Sequence, residues 1–245
     1  MSSRDRFAEV VRSSPVDVVA ALVLLASEVT GEVREAEAQA GLDALADLAR
    51  PHVATAPSAA EGLRRALGEQ GGFAGSDADH DDVRSSLLPA VLERRRGLPV
   101  LLSTVWVEVA RRVGVPAHSL AVPGRVLTLV DGDVVDPAAG GRRGDPAAIA
   151  HGPLDGVPLV LRVLANVRAL AARSSDTPTG LWACELSLLL PRHPLDLRRE
   201  HGALLVRSGR FTEGADELEE VAAIAPDPHA EGARREARMA RARLN

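Results

Sequence analysis

The chain has 245 residues, enough for one large domain or two small ones, and a net charge of -5, so it lacks the basic surface that general nucleic-acid binding needs. Hydrophobic residues make up 46%, ample for a packed core, but with three Phe, two Trp and no Tyr a base-stacking platform is excluded. The single cysteine excludes a disulfide framework and a Cys-rich metal site.

The N-terminus is charged through Arg4, Asp5, Arg6 and Glu9 and shows no secretory apolar region, so a soluble cytoplasmic protein is expected. From Ser14 to Leu67 the pattern is helical. Val18, Leu22 and Leu25 recur at helical spacing, as do Leu42, Leu45 and Leu48. The apolar run Val18 to Ala26 is too short to span a bilayer. Pro51 is read as closing one helix, and Ser58 with Glu61 as a capping box opening the next. Gly71 to Asp82 reads as a polar loop and Ser86 to Arg95 as a short helix.

Leu101 to Val113 is the predicted central helix. Leu102, Val105, Trp106, Val109 and Val113 share one face, with Ser103, Val107 and Ala110 beside it, which implies burial on most sides. Gly114 marks its C-cap. His118 to Val122, Val126 to Val130 and Val134-Val135 are expected strands, with Asp131-Gly132 as a hairpin turn. Gly140 to Pro153 is rich in Gly, Pro and Arg and marks a domain boundary, dividing the chain into 1–155 and 156–245.

After Val157 everything reads as helix. Pro191 and Pro226 each end an apolar helical run, with Gly202, Leu205, Gly209, Gly214 and Leu218 between them. That arrangement fits a tetratricopeptide-like helical hairpin, in which small residues let paired helices approach; upstream, Leu181 to Pro191 keeps only the second helix. Residues before about Pro15 and after about Pro228 have no assigned role. Arg234 to Arg243 reads as a solvated last helix packing through Ala233, Ala237 and Ala240.

The order of turn, helix, Gly-Val-Pro turn and short strands ending in Asp136-Pro137 resembles a papain-like catalytic core. Several motifs sharpen this: Gly72-Phe73-Ala74-Gly75, Ser85-Ser86-Leu87-Leu88, the run Leu92 to Ser103, Pro123-Gly124-Arg125-Val126, Asp136-Pro137-Ala138-Ala139-Gly140-Gly141, and Arg199-Glu200-His201-Gly202. Together, from about Val18 to Asp227, they resemble the bacterial transglutaminase-like family whose core precedes a tetratricopeptide-like tail. The resemblance implies an α+β fold, with N-terminal helices on the core and an all-α tail. It also places a nucleophile at Ser103, a base at position 125 and an orienting acid at Asp136. Position 125 holds Arg where the family has His, Val126 replaces a Phe, and Ser103 stands where true transglutaminases have Cys. Serine is usual there in this subfamily, so transglutaminase activity does not transfer.

Serine needs a neighbouring base, and arginine stays protonated at any relevant pH. An Arg125–Asp136 ion pair is expected to replace the lost His–Asp pair. Arg125, Ser103 and Trp106 are the candidate ligand-binding residues. His80, in the acidic loop of Asp77, Asp79, Asp81 and Asp82, is the one candidate for a relocated base. That loop lacks the glycine and the final Glu of a calcium loop, since Leu88 stands at the last position, and is read as solvated. Cys184, inside an apolar helix, is read as buried and inert. His118 and Ser119 are adjacent strand residues that point to opposite faces. No phosphate loop, nucleophile elbow or metal-ligand His spacing appears. Arg94 to Arg96, Arg142-Arg143 and Arg234-Arg235 are basic runs, several with acidic neighbours.

The leading expectation is a non-catalytic, pseudoenzyme-like cytoplasmic protein that binds a protein or peptide, without cofactor, metal, nucleic acid or membrane. One alternative is a hydrolase or acyltransferase acting on amide or ester bonds through Ser103. The other is a small-anion sensor built from Arg125 and the helix opening at Leu101 to Ser103.

Overall fold

The computed structural model describes residues 2–191 and 193–244. The chain divides into two compact units, residues 1–163 and 164–245.

In the first unit six helices precede a small sheet. They are α1 (Ser3–Val10), α2 (Val18–Thr30), α3 (Glu35–Thr55), α4 (Ala59–Leu63), α5 (Leu88–Arg94) and α6 (Pro99–Arg112). The segment before Pro15, unassigned from sequence, forms α1. Ser2 and Asp5 make its capping box, and Phe7 and Val11 are buried where it packs on α2. Every residue of α2 from Val19 to Ser27 is buried, which explains its unbroken apolar run.

Pro51 does not end a helix, because α3 runs through it to Thr55. Proline removes one helical N–H, but Pro51 lies on the exposed side of α3, where water can satisfy the freed carbonyl. Ala38, Leu42, Ala46 and Ala49 hold the other side in the core. Ser58 caps α4, accepting from the Glu61 amide at 3.3 Å, but the reciprocal half of the expected capping box is not made, because the Glu61 carboxylate pairs with Arg64 and Arg65 instead. The chain then widens into a π-helix, Arg64–Gln70.

Helix α6 is the predicted central helix, buried from Val100 to Trp106 and again at Val109 and Ala110. Each such apolar side chain contributes about 1.5–3 kcal/mol on burial. Val113 is the C-cap and Gly114 follows at φ 78. The Gly114 amide donates to the Arg111 carbonyl at 3.2 Å and the Val115 amide to the Ala110 carbonyl at 2.9 Å, a Schellman termination.

The sheet has β1 (Ala117–Val122), β2 (Arg125–Val130), β3 (Asp133–Asp136), β4 (Arg142–Arg143) and β5 (Pro153–Leu154). Its order is β4-β3-β2-β1-β5, antiparallel throughout. Asp131 and Gly132 both have positive φ, 45 and 90, as a two-residue primed turn requires. The two-residue strands β4 and β5 are additions to the sequence reading.

Strand alternation sorts the two faces. Thr128 pairs with Ser119 and with Val135, and this row lies against α6. Leu120, Leu127 and Val134 form a second cluster on the opposite face, with Ala148 of the 3-10 segment Pro146–His151.

Helix α7 (Gly156–Ser174) begins in the first unit and ends in the second, which continues with α8 (Thr177–Leu188), α9 (Leu195–Arg207), α10 (Phe211–Ile224) and α11 (His229–Arg241). Between α9 and α10, a Cβ built on Gly214 would fall 2.8 Å from the Gly202 carbonyl oxygen, so the glycines are what permit this approach. Ala230, Ala233, Ala237 and Ala240 form the buried stripe of α11, matching the expected packing of the Arg-rich end.

Candidate functional site

Ser103 lies one turn into α6 and is fully buried. Its Oγ is 2.7 Å from Thr128 Oγ1, 2.8 Å from Ser119 Oγ and 3.1 Å from the Leu127 carbonyl oxygen. A hydroxyl has one proton to give. The Leu127 carbonyl can only accept, whereas Thr128 can donate to Ser103. The result is a closed hydroxyl cluster that pins α6 to β1 and β2.

The Leu101 and Leu102 amides at the opening of α6 donate to the Leu98 carbonyl at 2.9 and 3.0 Å. These amides are therefore engaged and do not form an open anion cradle with Ser103. Trp106 is also fully buried, and a Cβ on Gly141 would stand 2.2 Å from its ring. Its indole packs under the turn at Gly140-Gly141 and has no open face for a ligand. Its Nε1 has no hydrogen-bond partner among the described residues.

Arg125 opens β2 and Asp136 closes β3. Arg125 Nη1 lies 3.6 Å from Asp136 Oδ2, so the pair expected at these positions is present. Asp136 Oδ1 also accepts from the Ala138 and Ala139 amides at 3.0 and 3.3 Å and caps the turn Pro137–Ala139. Arg125 and Asp136 share the face of Leu127, since residues two apart on a strand point the same way and Asp136 stands beside the Leu127 row. Ser103 touches the other face. The structure brings Arg125 and Asp136 together and leaves Ser103 apart from both.

His80 is exposed in the 3-10 segment Asp77–Asp81. The acidic loop around it is not uniformly solvated, because Asp79 is buried. Asp79 Oδ2 accepts from the Ser76 amide at 2.7 Å and the Ser76 hydroxyl at 2.9 Å, and Oδ1 accepts from the Ser85 hydroxyl at 3.0 Å. Arg96 approaches at 3.4 Å. Burial opposes ionisation, but the Ser76 and Ser85 hydrogen bonds and Arg96 together hold the Asp79 carboxyl below the usual carboxylate range. Asp82 pairs with Arg84 and Arg94, both at 3.0 Å. The loop is a staple. Among the described residues no cluster of His, Cys, Asp and Glu could hold a metal ion.

The family-like motifs meet in this scaffold. The Ala74 amide donates to the Arg95 carbonyl at 3.2 Å and the Gly75 amide to the Ala138 carbonyl at 2.9 Å. The Gly-Phe-Ala-Gly turn thus ties the entrance of α6 to the Asp136 turn.

Sequence reading missed what surrounds Arg125 and Asp136. A cavity of about 520 Å³ is lined there by Arg125, Arg142, Arg143 and His151, over Val122, Leu127 and Ala148. The signal available was Arg142-Arg143, read above only as a basic run.

In the second unit Cys184 is fully buried, its Sγ 3.4 Å from the Leu197 carbonyl oxygen. Burial pushes its thiol up to about 12, the opposite of an activated nucleophile. A groove of about 150 Å³ is lined by Ala203, Val206, Leu218, Met239, Glu236 and Arg243, among others, and Met239 is exposed. No helix among the described residues is long and apolar enough to cross a membrane.

Comparison with known proteins agrees with this division. Residues 36–151 match the family model for the transglutaminase-like superfamily, and residues 167–245 match a tetratricopeptide repeat model. UPF0162 proteins of Xylella fastidiosa strains Temecula1 and 9a5c are each 27% identical over 192 residues, covering 68% of this chain and 68% of theirs. A UPF0162 protein of Pseudomonas aeruginosa is 43% identical over 91 residues, 36% of this chain and 33% of its own. No solved structure matches significantly. The chain therefore consists of a transglutaminase-like domain followed by a tetratricopeptide-repeat region, an α+β core with a helical tail.

Proposed function

We propose that this protein is a non-catalytic, pseudoenzyme-like cytoplasmic module whose helical tail binds a protein or peptide. The observation that carries the non-catalytic part is the position of Ser103. Its hydroxyl is buried among Ser119, Thr128 and the Leu127 carbonyl, and no base stands among those partners. Position 125 supplies a permanent cation on the other sheet face. General acid–base help, worth about 10²–10⁴-fold, has no group to deliver it at Ser103.

The binding part rests on the tetratricopeptide-repeat match and on the groove beside Met239. Stacked helical hairpins build concave surfaces for extended ligands. The test is a cross-linking capture from native lysate with the full chain and a Met239→Glu variant. The chain has no lysine, so the reagent must address carboxylates or be photoactivated. One stoichiometric partner held by the native chain and lost by the variant is expected. Turnover of amide or ester substrates that disappears in Ser103→Ala would overturn the reading.

A further inference from the structure

The outer face of the sheet in the first unit carries a cavity of about 520 Å³, within the range of about 300–1,000 Å³ typical of small-molecule pockets. Its floor is apolar, with Val122, Leu127 and Ala148 among the lining residues, and Leu127 and Ala148 are buried in the outer cluster. Its rim is cationic. Arg142 stands opposite Asp136 in the β3–β4 register, and Arg125 reaches the same carboxylate from β2. Arg143 and His151 complete the lining.

The lining carries three arginines against two carboxylates, Asp136 and Asp145, a formal excess of one positive charge with His151 left aside. Asp136 is already answered by Arg125 and by the Ala138 and Ala139 amides. Asp145, the other carboxylate of the lining, accepts from the Ala147 amide at 2.9 Å as the cap of the 3-10 segment. Arg142 and Arg143 have neither an ion pair nor a side-chain hydrogen bond to any described residue. The Arg125–Asp136 contact is long, and the Arg125 side chain is 62% exposed, so the pair is weak and can rearrange.

We propose that this cavity binds a small organic phosphomonoester, its dianionic head on Arg142 and Arg125 and a short apolar body on Leu127 and Val122. Arg142 has no ion pair among the described residues and Arg125 holds only its long contact with Asp136, so both can turn to a head whose charge approaches -2 near neutral pH. Guanidinium forks also fit phosphate oxygens two at a time. The apolar floor separates this ligand from inorganic phosphate, and its charge separates it from a monocarboxylate. The site is independent of Ser103, which contacts the opposite face, and all its lining residues belong to the first unit.

The test is calorimetric titration of the full chain with hexyl phosphate, hexanoate, hexanol and inorganic phosphate. Hexyl phosphate is expected to bind with a Kd below about 1 mM and about tenfold more tightly than each of the others. Arg142→Gln is expected to weaken it at least about tenfold with unchanged circular dichroism and Tm. Ala147→Trp, which fills the cavity from an exposed position of its lining, is the second variant and is expected to abolish binding. Equal affinity for hexanol, a Kd unchanged in both variants, or no saturable binding below about 1 mM would each overturn the assignment.

Discussion

Ser103 and Thr128 hold each other across the helix–sheet interface, their hydroxyl oxygens 2.7 Å apart and fully buried. Ser103, where the resemblance leads one to expect a nucleophile, serves as a pin between α6 and β2.

Replacing Ser103 by Ala should therefore cost stability. It removes one oxygen from a buried cluster of three hydroxyls, and a loss of about 1–3 kcal/mol in urea unfolding is expected. Ser103→Cys should stay unlabelled by iodoacetamide until the chain unfolds. A stability equal to wild type, or rapid alkylation of the native Cys variant, would count against this account of the cluster.

Asp79 offers a second test, with a pH signature. Its carboxyl titrates below the usual range in the folded protein, so it contributes stability that is present above about pH 4 and lost as pH falls through the folded value. Asp79→Ala leaves the Ser76 amide and the Ser85 hydroxyl without their acceptor and should cost about 1.5–3 kcal/mol at neutral pH. The variant's acid unfolding limb should be flatter than that of the native chain. A parallel limb would show that Asp79 does not contribute to it.

Cys184 should be silent. Its thiol is raised to about 12 by burial, so thiol reagents at neutral pH should modify it only in step with global unfolding. The sign of the linkage is opposite to that of Asp79. The stabilising contribution of the neutral thiol is complete below the unfolded value near 9 and is lost as pH rises towards 12. Cys184→Ala should lessen the decline in stability above pH 9, measured by thermal melts; an unchanged alkaline slope would exclude this linkage.

Gly214 tests the tail. A Cβ there would meet the Val206 side chain at 2.7 Å and the Gly202 carbonyl oxygen at 2.8 Å. Gly214→Ala is expected to push α9 from α10 and cost about 1–3 kcal/mol. Partner capture should fall with it, read against Met239→Glu, which alters the surface without loss of packing.

Much of this is legible in the sequence alone. The face of α6, the Asp131-Gly132 hairpin and the glycines of the tail each follow from a local rule that tertiary packing did not override. Arg125 and Thr128, three residues apart on β2, lie on opposite faces, a relation hidden in the sequence because the expected strand began only at Val126. Parity alone could not say which face α6 covers, so Ser103 could not be separated from Arg125 by sequence. Pro51 misled because a proline on the exposed side of a helix loses only a bond that water replaces. Asp79 was hidden among exposed acids, since its burial depends on Ser85 and Arg96 arriving from later in the chain. The two-residue strands β4 and β5 carry too few positions for any alternation to show.

Those two strands have a further consequence for the behaviour of the protein at high concentration. A sheet border with free amides and carbonyls is a template onto which a neighbouring molecule can add its own strand. Here one border is two adjacent arginines, whose like charges oppose a second copy of themselves, and the other begins with Pro153, which has no amide to donate. Growth of the sheet from molecule to molecule is blocked at both ends, and self-association through it is disfavoured.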